Sequence, residues 1–405
     1  MIRFGPAGIP LSCKGRTLRD GIIDLHHLGL TAMEVQFIKV NSAQRTVLPE
    51  EVGKKPREVA DHLIVEVSLP GRRGLETSPE LLDKPLSRKA HLTTLNWFLA
   101  KDYGILAQAR TLARAVDIRL SLHAPFYVDF LNSQVARERS ISNYRWSCAL
   151  ASALGVDILI GHLGFYGPDG PTVSLDRVTK EIKSIRDWLD KLPGGHRILL
   201  GIEPNGHPEV MGSRQEILQI AKRVNRVIPI LNIPHLAVRE SSSFEDKKEL
   251  EAIMEEFTTA SHGELYINFS GVMVQGRGSF RMNPIKRGKV KFENVAEALT
   301  ERGFDATVIS SSPLMEHDAM YMKLLHERAL AKQFARKAAE KRAPLKAAAA
   351  AKPAPKSQKK PAPKPRKGKG KPAPKPAPKK KVRPQKKPVR AGGKRPPVKK
   401  VARKK

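Results

Sequence analysis

Three histidines and a glutamate stand directly behind short apolar runs: His123 after Arg119-Leu-Ser-Leu122, His162 after Ile158-Leu-Ile-Gly161, Glu203 after Leu199-Leu-Gly-Ile202, and His235 after Pro229-Ile-Leu-Asn-Ile-Pro234. Imidazole nitrogens and a carboxylate oxygen are the donors that suit Zn²⁺ when a rigid scaffold presents them and leaves one coordination position open. Glu203, the only acid of the set, is the candidate catalytic residue. Such residues meet only if the runs are parallel strands whose C-terminal ends open onto one mouth.

The rest of the pattern supplies those strands. Short β-rich runs alternate with amphipathic stretches to about Glu340, the signature of βα units. Strands are expected at Ile2 to Phe4, Ala32 to Phe37, Ile118 to Leu122, Asp157 to Ile160, Ile198 to Ile202, Val227 to Leu231, Glu264 to Phe269 and Asp305 to Ile309. Helical spacing follows most of them, as in Thr17 to Leu28 and Thr172 to Leu189. Eight units closing on themselves make an α/β fold, a (β/α)₈ TIM barrel. The interval between the second and third strands is longer than a βα unit needs. Its excess, about residues 40 to 89, contains a strand-like Leu63 to Leu69 and a turn at Pro70 to Gly74. An insertion after strand two is expected to rise over the mouth as a lid or flap. A last helix is expected from Met315 to about Arg342.

Composition divides the chain at residue 341. The 405 residues carry a net charge of +33, of which residues 341–405 contribute 27 Lys and Arg with no acid. That segment also holds 14 of the 31 prolines and no aromatic side chain, so it cannot bury a core and is expected to be a disordered basic tail behind a barrel of residues 1–340. Lys-Pro-Ala-Pro-Lys recurs there, placing Lys352, Lys356, Lys360, Lys364, Lys371 and Lys375 as contacts for a polyanion, DNA or RNA. No amphipathic stretch accompanies the charge, which argues against a membrane partner. Cys13 and Cys148 are too far apart in sequence for a zinc knuckle, and two cysteines make no disulfide framework. With no apolar run near the ~18 residues of a membrane span, a cytoplasmic, nucleoid-associated protein is expected.

Several segments together resemble the endonuclease IV family of apurinic/apyrimidinic endonucleases, notably its archaeal branch, within the wider xylose-isomerase-like barrels. They are Ile2-Arg-Phe-Gly-Pro-Ala-Gly-Ile-Pro-Leu-Ser12, Ala32-Met-Glu-Val-Gln-Phe37, Leu122-His-Ala-Pro-Phe-Tyr127, His162-Leu-Gly-Phe-Tyr-Gly167, Ile267-Asn-Phe-Ser-Gly271 and Ser312-Pro-Leu-Met-Glu-His-Asp318. The resemblance implies DNA repair by metal-dependent phosphodiester hydrolysis at a three-zinc centre, on a flipped nucleotide in bent DNA. It also implies that His123, His162 and Glu203 hold one zinc, that Glu203 bridges to a second, that His235 serves the third, and that Phe126 and Tyr127 wedge into the base stack.

Five positions depart from that pattern: Asn232, Asn268 and Ser311 at strand ends, and Phe280 and Met282 in the seventh βα loop. Three Zn²⁺ bring six positive charges, and the mapped positions keep one carboxylate, Glu203, so at most one zinc is expected unless Glu34, Asp129, Glu240 or Glu264 swings in. Three functions fit. The first is an endonuclease IV-like DNA-binding protein with hydrolysis at a reduced centre. The second is a catalytically degenerate barrel that binds nucleic acid as a structural or recruiting protein. The third is a sugar-phosphate isomerase or lyase using Glu203 and His123 as base and metal ligand, which leaves the tail unexplained.

Overall fold

The computed structural model describes residues 1–72, 74–275 and 279–350, the last ten of these as backbone alone. Its strands in chain order are β1 (Ile2–Pro6), β2 (Ala32–Gln36), β3 (Ser42–Thr46), β4 (Leu63–Gly71), β5 (Gly74–Thr77), β6 (His91–Leu95), β7 (Arg119–His123), β8 (Ile158–Gly161), β9 (Leu199–Ile202), β10 (Val227–Pro229), β11 (Leu231–Asn232), β12 (Glu264–Phe269), β13 (Gly271–Val274), β14 (Phe280–Asn283) and β15 (Asp305–Ser310).

Parallel pairing runs β1–β15–β12–β11 on one side and β10–β9–β8–β7–β2 on the other. A parallel bridge from Ala7 to Glu34 joins β1 to β2, and β10 and β11 are two halves of one strand interrupted at Ile230. The ring therefore closes over the eight expected positions, and Val227 to Leu231, read as one continuous strand, is split. The helices are α1 (Leu18–His27), α2 (Tyr103–Ala115), α3 (Gln134–Leu154), α4 (Pro171–Asp190), α5 (Arg214–Arg223), α6 (Ile233–Arg239), α7 (Lys247–Ala260), α8 (Phe292–Arg302) and α9 (Met315–Ala350). Local chemistry sets their ends. Thr17 caps α1 by accepting from the Asp20 N–H, Ser133 caps α3, and Ser213 with Glu216 forms a capping box on α5.

Strand residues alternate between the helical shell and the barrel interior. At the floor, where strands begin, Arg119 pairs with Asp157 and Glu264. Above it lies an apolar layer of Ala32, Ile158, Ile160, Ile228, Ile230 and Ile309, with Tyr266 among them. The polar residues of interest sit on top of that layer, so a dry, close-packed stack fixes them from below.

The insertion is an antiparallel sheet of order β3–β6–β4–β5. Leu63 to Leu69 lies within β4, but β4 and β5 run to Gly71 and from Gly74, which shortens the turn expected at Pro70 to Gly74. The described residues of the sheet do not line the cavity at the mouth. The sheet docks on the outer helices: the buried Tyr103 hydroxyl of α2 donates to the Ile64 carbonyl at 2.8 Å, and Arg57 donates to Ser152 of α3 at 3.2 Å. Ile38, which precedes the sheet, lines that cavity, and the 75% exposed Phe98, which follows it, lines an adjoining pocket with Ala7 and Gln36. The last helix, expected to stop near Arg342, continues to Ala350. Lys352, Lys356, Lys360, Lys364, Lys371 and Lys375 lie outside the described residues. Among those described, no helix is long and apolar enough to cross a membrane.

Candidate metal centre

His123 ends β7, while His162 and Glu203 follow β8 and β9, so three adjacent strands deliver them to one cavity of about 460 Å³ at the C-terminal mouth. All three are buried. The turn at His162 depends on Gly161. A Cβ there would lie 2.2 Å from the Tyr144 hydroxyl, which reaches past it to donate to the His162 carbonyl at 2.5 Å. The cavity also takes in Glu34, Gln36, Phe126, Asn205, Asn232, His235, Asn268, Met282 and Ser311.

One oxygen of Glu203, Oε2, lies 3.4 Å from His123 Nε2 and 3.5 Å from His162 Nε2, and the three donor atoms fall within 4.8 Å of one another. Donors about 2.0 to 2.1 Å from a tetrahedral Zn²⁺ stand about 3.4 Å apart, and the separation of Glu203 Oε2 from each imidazole already matches that spacing. The tautomer agrees. His123 Nδ1 donates to the Ala124 carbonyl at 2.6 Å, which turns the Nε2 lone pair toward Glu203 whenever the ring is neutral.

The other oxygen of Glu203 faces a different chemistry. Oε1 accepts from the Asn232 amide at 3.0 Å and from the Asn268 amide. Asn232 cannot turn round, because its own oxygen accepts the His235 N–H at 3.1 Å as the N-cap of α6. Two N–H donors thus occupy the direction from which a second cation would approach a bridging carboxylate. Among the described residues, Asn268 Oδ1, His162 Nδ1 and Ser311 Oγ are buried without a hydrogen-bond partner.

The charges follow from this packing. Burial pushes the Glu203 carboxyl up, but the hydrogen bond and charge of His123 outweigh it, with His162 and His235 adding to the pull, and hold it well below its ordinary value. Burial likewise pushes His123 down, and Glu203 with Glu34 brings it back above the ordinary imidazole value. At His162 burial outweighs the opposing pull of Glu203, with the charges of His123 and His235 adding to it, and takes the ring down to about 3.

The remaining candidates are spread around this cluster. His235 lines the cavity outside the converging trio. Its Nδ1 accepts the Gly206 N–H at 3.2 Å, and its ring meets Phe280 edge-on at 5.4 Å. Phe280 packs against His207 as well, at 4.7 Å, and Met282 Sδ is 3.0 Å from Ser270 Oγ. Phe126 is 46% exposed, its ring 4.6 Å from that of His123 and 5.7 Å from that of His162, while Tyr127 beside it is 88% exposed. Of the four acids considered as replacements, Glu240 pairs with Arg214, Glu264 with Arg119 at the floor, and Asp129 accepts the Leu131 and Asn132 N–H groups. Glu34 alone lines the cavity.

The importance of Glu34, Gln36 and Tyr266 goes beyond the sequence reading. Glu34 Oε1 accepts from Gln36 Nε2 at 2.7 Å and Oε2 from the Tyr266 hydroxyl at 2.9 Å, and Tyr266 shares a 2.5 Å hydrogen bond with Ser121. Burial and the nearby Glu203 raise the Glu34 carboxyl, against the opposing pull of His123. The signal was the alternation in Ala32-Met-Glu-Val-Gln36, which sends Met33 and Val35 to the shell and a charged residue inward.

Comparison with known proteins places this architecture. An uncharacterized protein of Methanocaldococcus jannaschii is 26% identical over 333 residues, covering 81% of this chain and 98% of that one. The crystal structure of endonuclease IV from Thermus thermophilus superimposes with a TM-score of 0.51 at 14% identity, over 82% of this chain and 99% of that one. A structure of L-ribulose 3-epimerase gives 0.49 at 13% identity, over 85% and 98%. The family described as xylose isomerase-like TIM barrels matches residues 85–328. That stretch holds the mouth residues from His123 to Ser311 and more than half of the chain, which therefore belongs to the xylose isomerase-like TIM barrel family.

Proposed function

We propose that the chain is an endonuclease IV-like nucleic-acid-binding barrel whose mouth holds one divalent cation, zinc by its donor set, on His123, His162 and Glu203. The observation that carries this reading is the two-sided environment of Glu203, with two imidazoles at one oxygen and two amides at the other. A cation bound there supplies Lewis-acid chemistry without the clamp on both attacking and leaving oxygens that a multinuclear centre offers. The chain's own residues do the rest. Ala124 fixes the His123 tautomer, Asn232 and Asn268 hold Glu203, and Phe126 and Tyr127 stand at the rim as surfaces for an unstacked base. The barrel of residues 1–340 carries the pocket, and the Lys-rich tail of residues 341–405 binds phosphates through charge alone.

Three measurements on the full chain test this reading: zinc content, salt-dependent binding of a duplex with an abasic site, and incision of that duplex beside Glu203→Gln. Expected are one zinc per chain, binding that falls steeply with salt, and weak or no incision. Robust zinc-dependent cleavage with several ions per chain would overturn it. Glu34 favours a second reading, an isomerase-type enzyme, because a second buried carboxyl beside a single cation suits proton transfer next to a carbonyl. Turnover of a sugar phosphate by the metal-loaded chain, lost in Glu203→Gln, would select that reading.

A further inference from the structure

Glu34 is a charged group with no evident structural purpose. It is 2% exposed, sits above an apolar layer, and meets no Lys or Arg among the described residues. Its neighbours supply two neutral hydrogen bonds, from Gln36 and Tyr266. An anion buried on those terms is costly, because two neutral hydrogen bonds do not replace the hydration it gives up. Among the described residues the positive group that faces it is the His123 ring, whose proton a cation on Nε2 would displace, leaving that cation as the charge for Glu34 to balance. A single divalent cation on His123, His162 and Glu203 retains one positive charge after Glu203 is counted, and one more carboxylate cancels it.

We infer that Glu34 is the outer carboxylate of this metal centre, completing the charge balance of one divalent cation without ligating it. The inference rests on the single-cation reading above. Glu34 stays outside the coordination sphere because it does not belong to the converging trio and because each of its oxygens already accepts a fixed donor. Tyr266, itself held by Ser121, and Gln36 are positioning residues that keep the carboxylate facing the cluster. Specificity follows from the balance. A neutral centre has no net attraction for phosphate, whereas a centre lacking Glu34 keeps one positive charge and gains it.

The test is zinc titration of the metal-stripped full chain against a chelating dye, for wild type, Glu34→Gln, Glu34→Asp and Glu203→Gln. Outer-shell partners are worth about 10- to 100-fold in metal affinity, so Glu34→Gln is expected to weaken zinc by that factor at unchanged stoichiometry. Glu34→Asp should fall between it and wild type, and Glu203→Gln should lose the site. The second readout is inorganic phosphate binding to the zinc-loaded proteins, expected to be about 10-fold tighter in Glu34→Gln, a factor that corresponds to the 1.4 kcal/mol of one decade. A purely structural role would not move it in that direction. Wild type that binds no zinc would overturn the single-cation reading and this inference together. Wild type that binds zinc, with Glu34→Gln unchanged in zinc or phosphate affinity, would overturn the role of Glu34 alone. Should Glu34→Gln fail to fold, Glu34→Asp carries the test, and unweakened zinc binding then overturns the role.

Discussion

Replacing Asn232 by Asp asks why the centre stops at one cation. Asp caps a helix as well as Asn does, so Asn232→Asp leaves α6 its cap and changes chiefly what faces Glu203. In the native protein the Asn232 amide donates to Glu203 Oε1 at 3.0 Å. An ionised Asp would set two carboxylates about 3 Å apart, which at an effective dielectric near 20 repel by about 5 to 6 kcal/mol. The pair escapes by keeping a proton. Holding a carboxyl of ordinary pKa near 4 protonated costs about 4 kcal/mol at pH 7 and about 1.5 kcal/mol at pH 5. The smaller cost wins, so protonation sets the ceiling. Because the folded-state pKa of the pair is raised, the penalty grows as pH climbs above the unfolded value and is smallest in acid. Urea unfolding of the metal-free proteins should therefore show Asn232→Asp less stable by about 4 kcal/mol at pH 7, with most of the deficit gone at pH 5. Excess zinc should recover much of it, since the new carboxylate is a ligand. A metal-free variant as stable as wild type at pH 7 would refute the placement of the Asn232 amide against Glu203.

Gly161→Ala drives a Cβ toward the Tyr144 hydroxyl; overpacking of this kind costs about 1 to 3 kcal/mol, and zinc affinity should fall with it because His162 is the next residue. Glu51 accepts from both terminal guanidinium nitrogens of Arg45 at 2.6 Å, which holds its carboxyl below the ordinary 4.5. Its lowered folded-state pKa means a contribution present above pH 4.5 and lost as pH falls through the folded value. Glu51→Gln should thus be less stable than wild type by about 1.5 to 3 kcal/mol at pH 7 and converge with it in chemical denaturation as pH falls through the lowered folded-state value. Truncation after Ala350 should flatten the log–log salt dependence of duplex binding by about 0.9 for every phosphate contact removed; an unchanged slope in a filter-binding titration would transfer the polyanion grip to the barrel.

The barrel was legible because its strands are short, apolar and regularly spaced, and six of the eight expected runs overlap single observed strands almost end to end. The insertion was legible only in Leu63 to Leu69. Its other strands read Ser-Ala-Gln-Arg-Thr, Gly-Leu-Glu-Thr and His-Leu-Thr-Thr-Leu, too polar to announce themselves, since β3 and β5 are edge strands. The insertion was expected over the mouth from its position in the chain, and it docked sideways because Tyr103 and Ser152 offered partners that sequence spacing does not reveal. At the site, strand-end position found His123, His162 and Glu203. What that position could not give was the role of Asn232 and Asn268 as donors to Glu203, because it depends on which oxygen each amide meets and hence on the N-cap geometry of α6.

The most direct measurement is anomalous diffraction at the zinc edge from crystals of the metal-stripped chain reconstituted with zinc. One peak per chain is expected, bonded to His123 Nε2, His162 Nε2 and Glu203 Oε2, with Asn232 and Asn268 still on Oε1. A second or third peak near Asn232, His235 or Ser311 would contradict it.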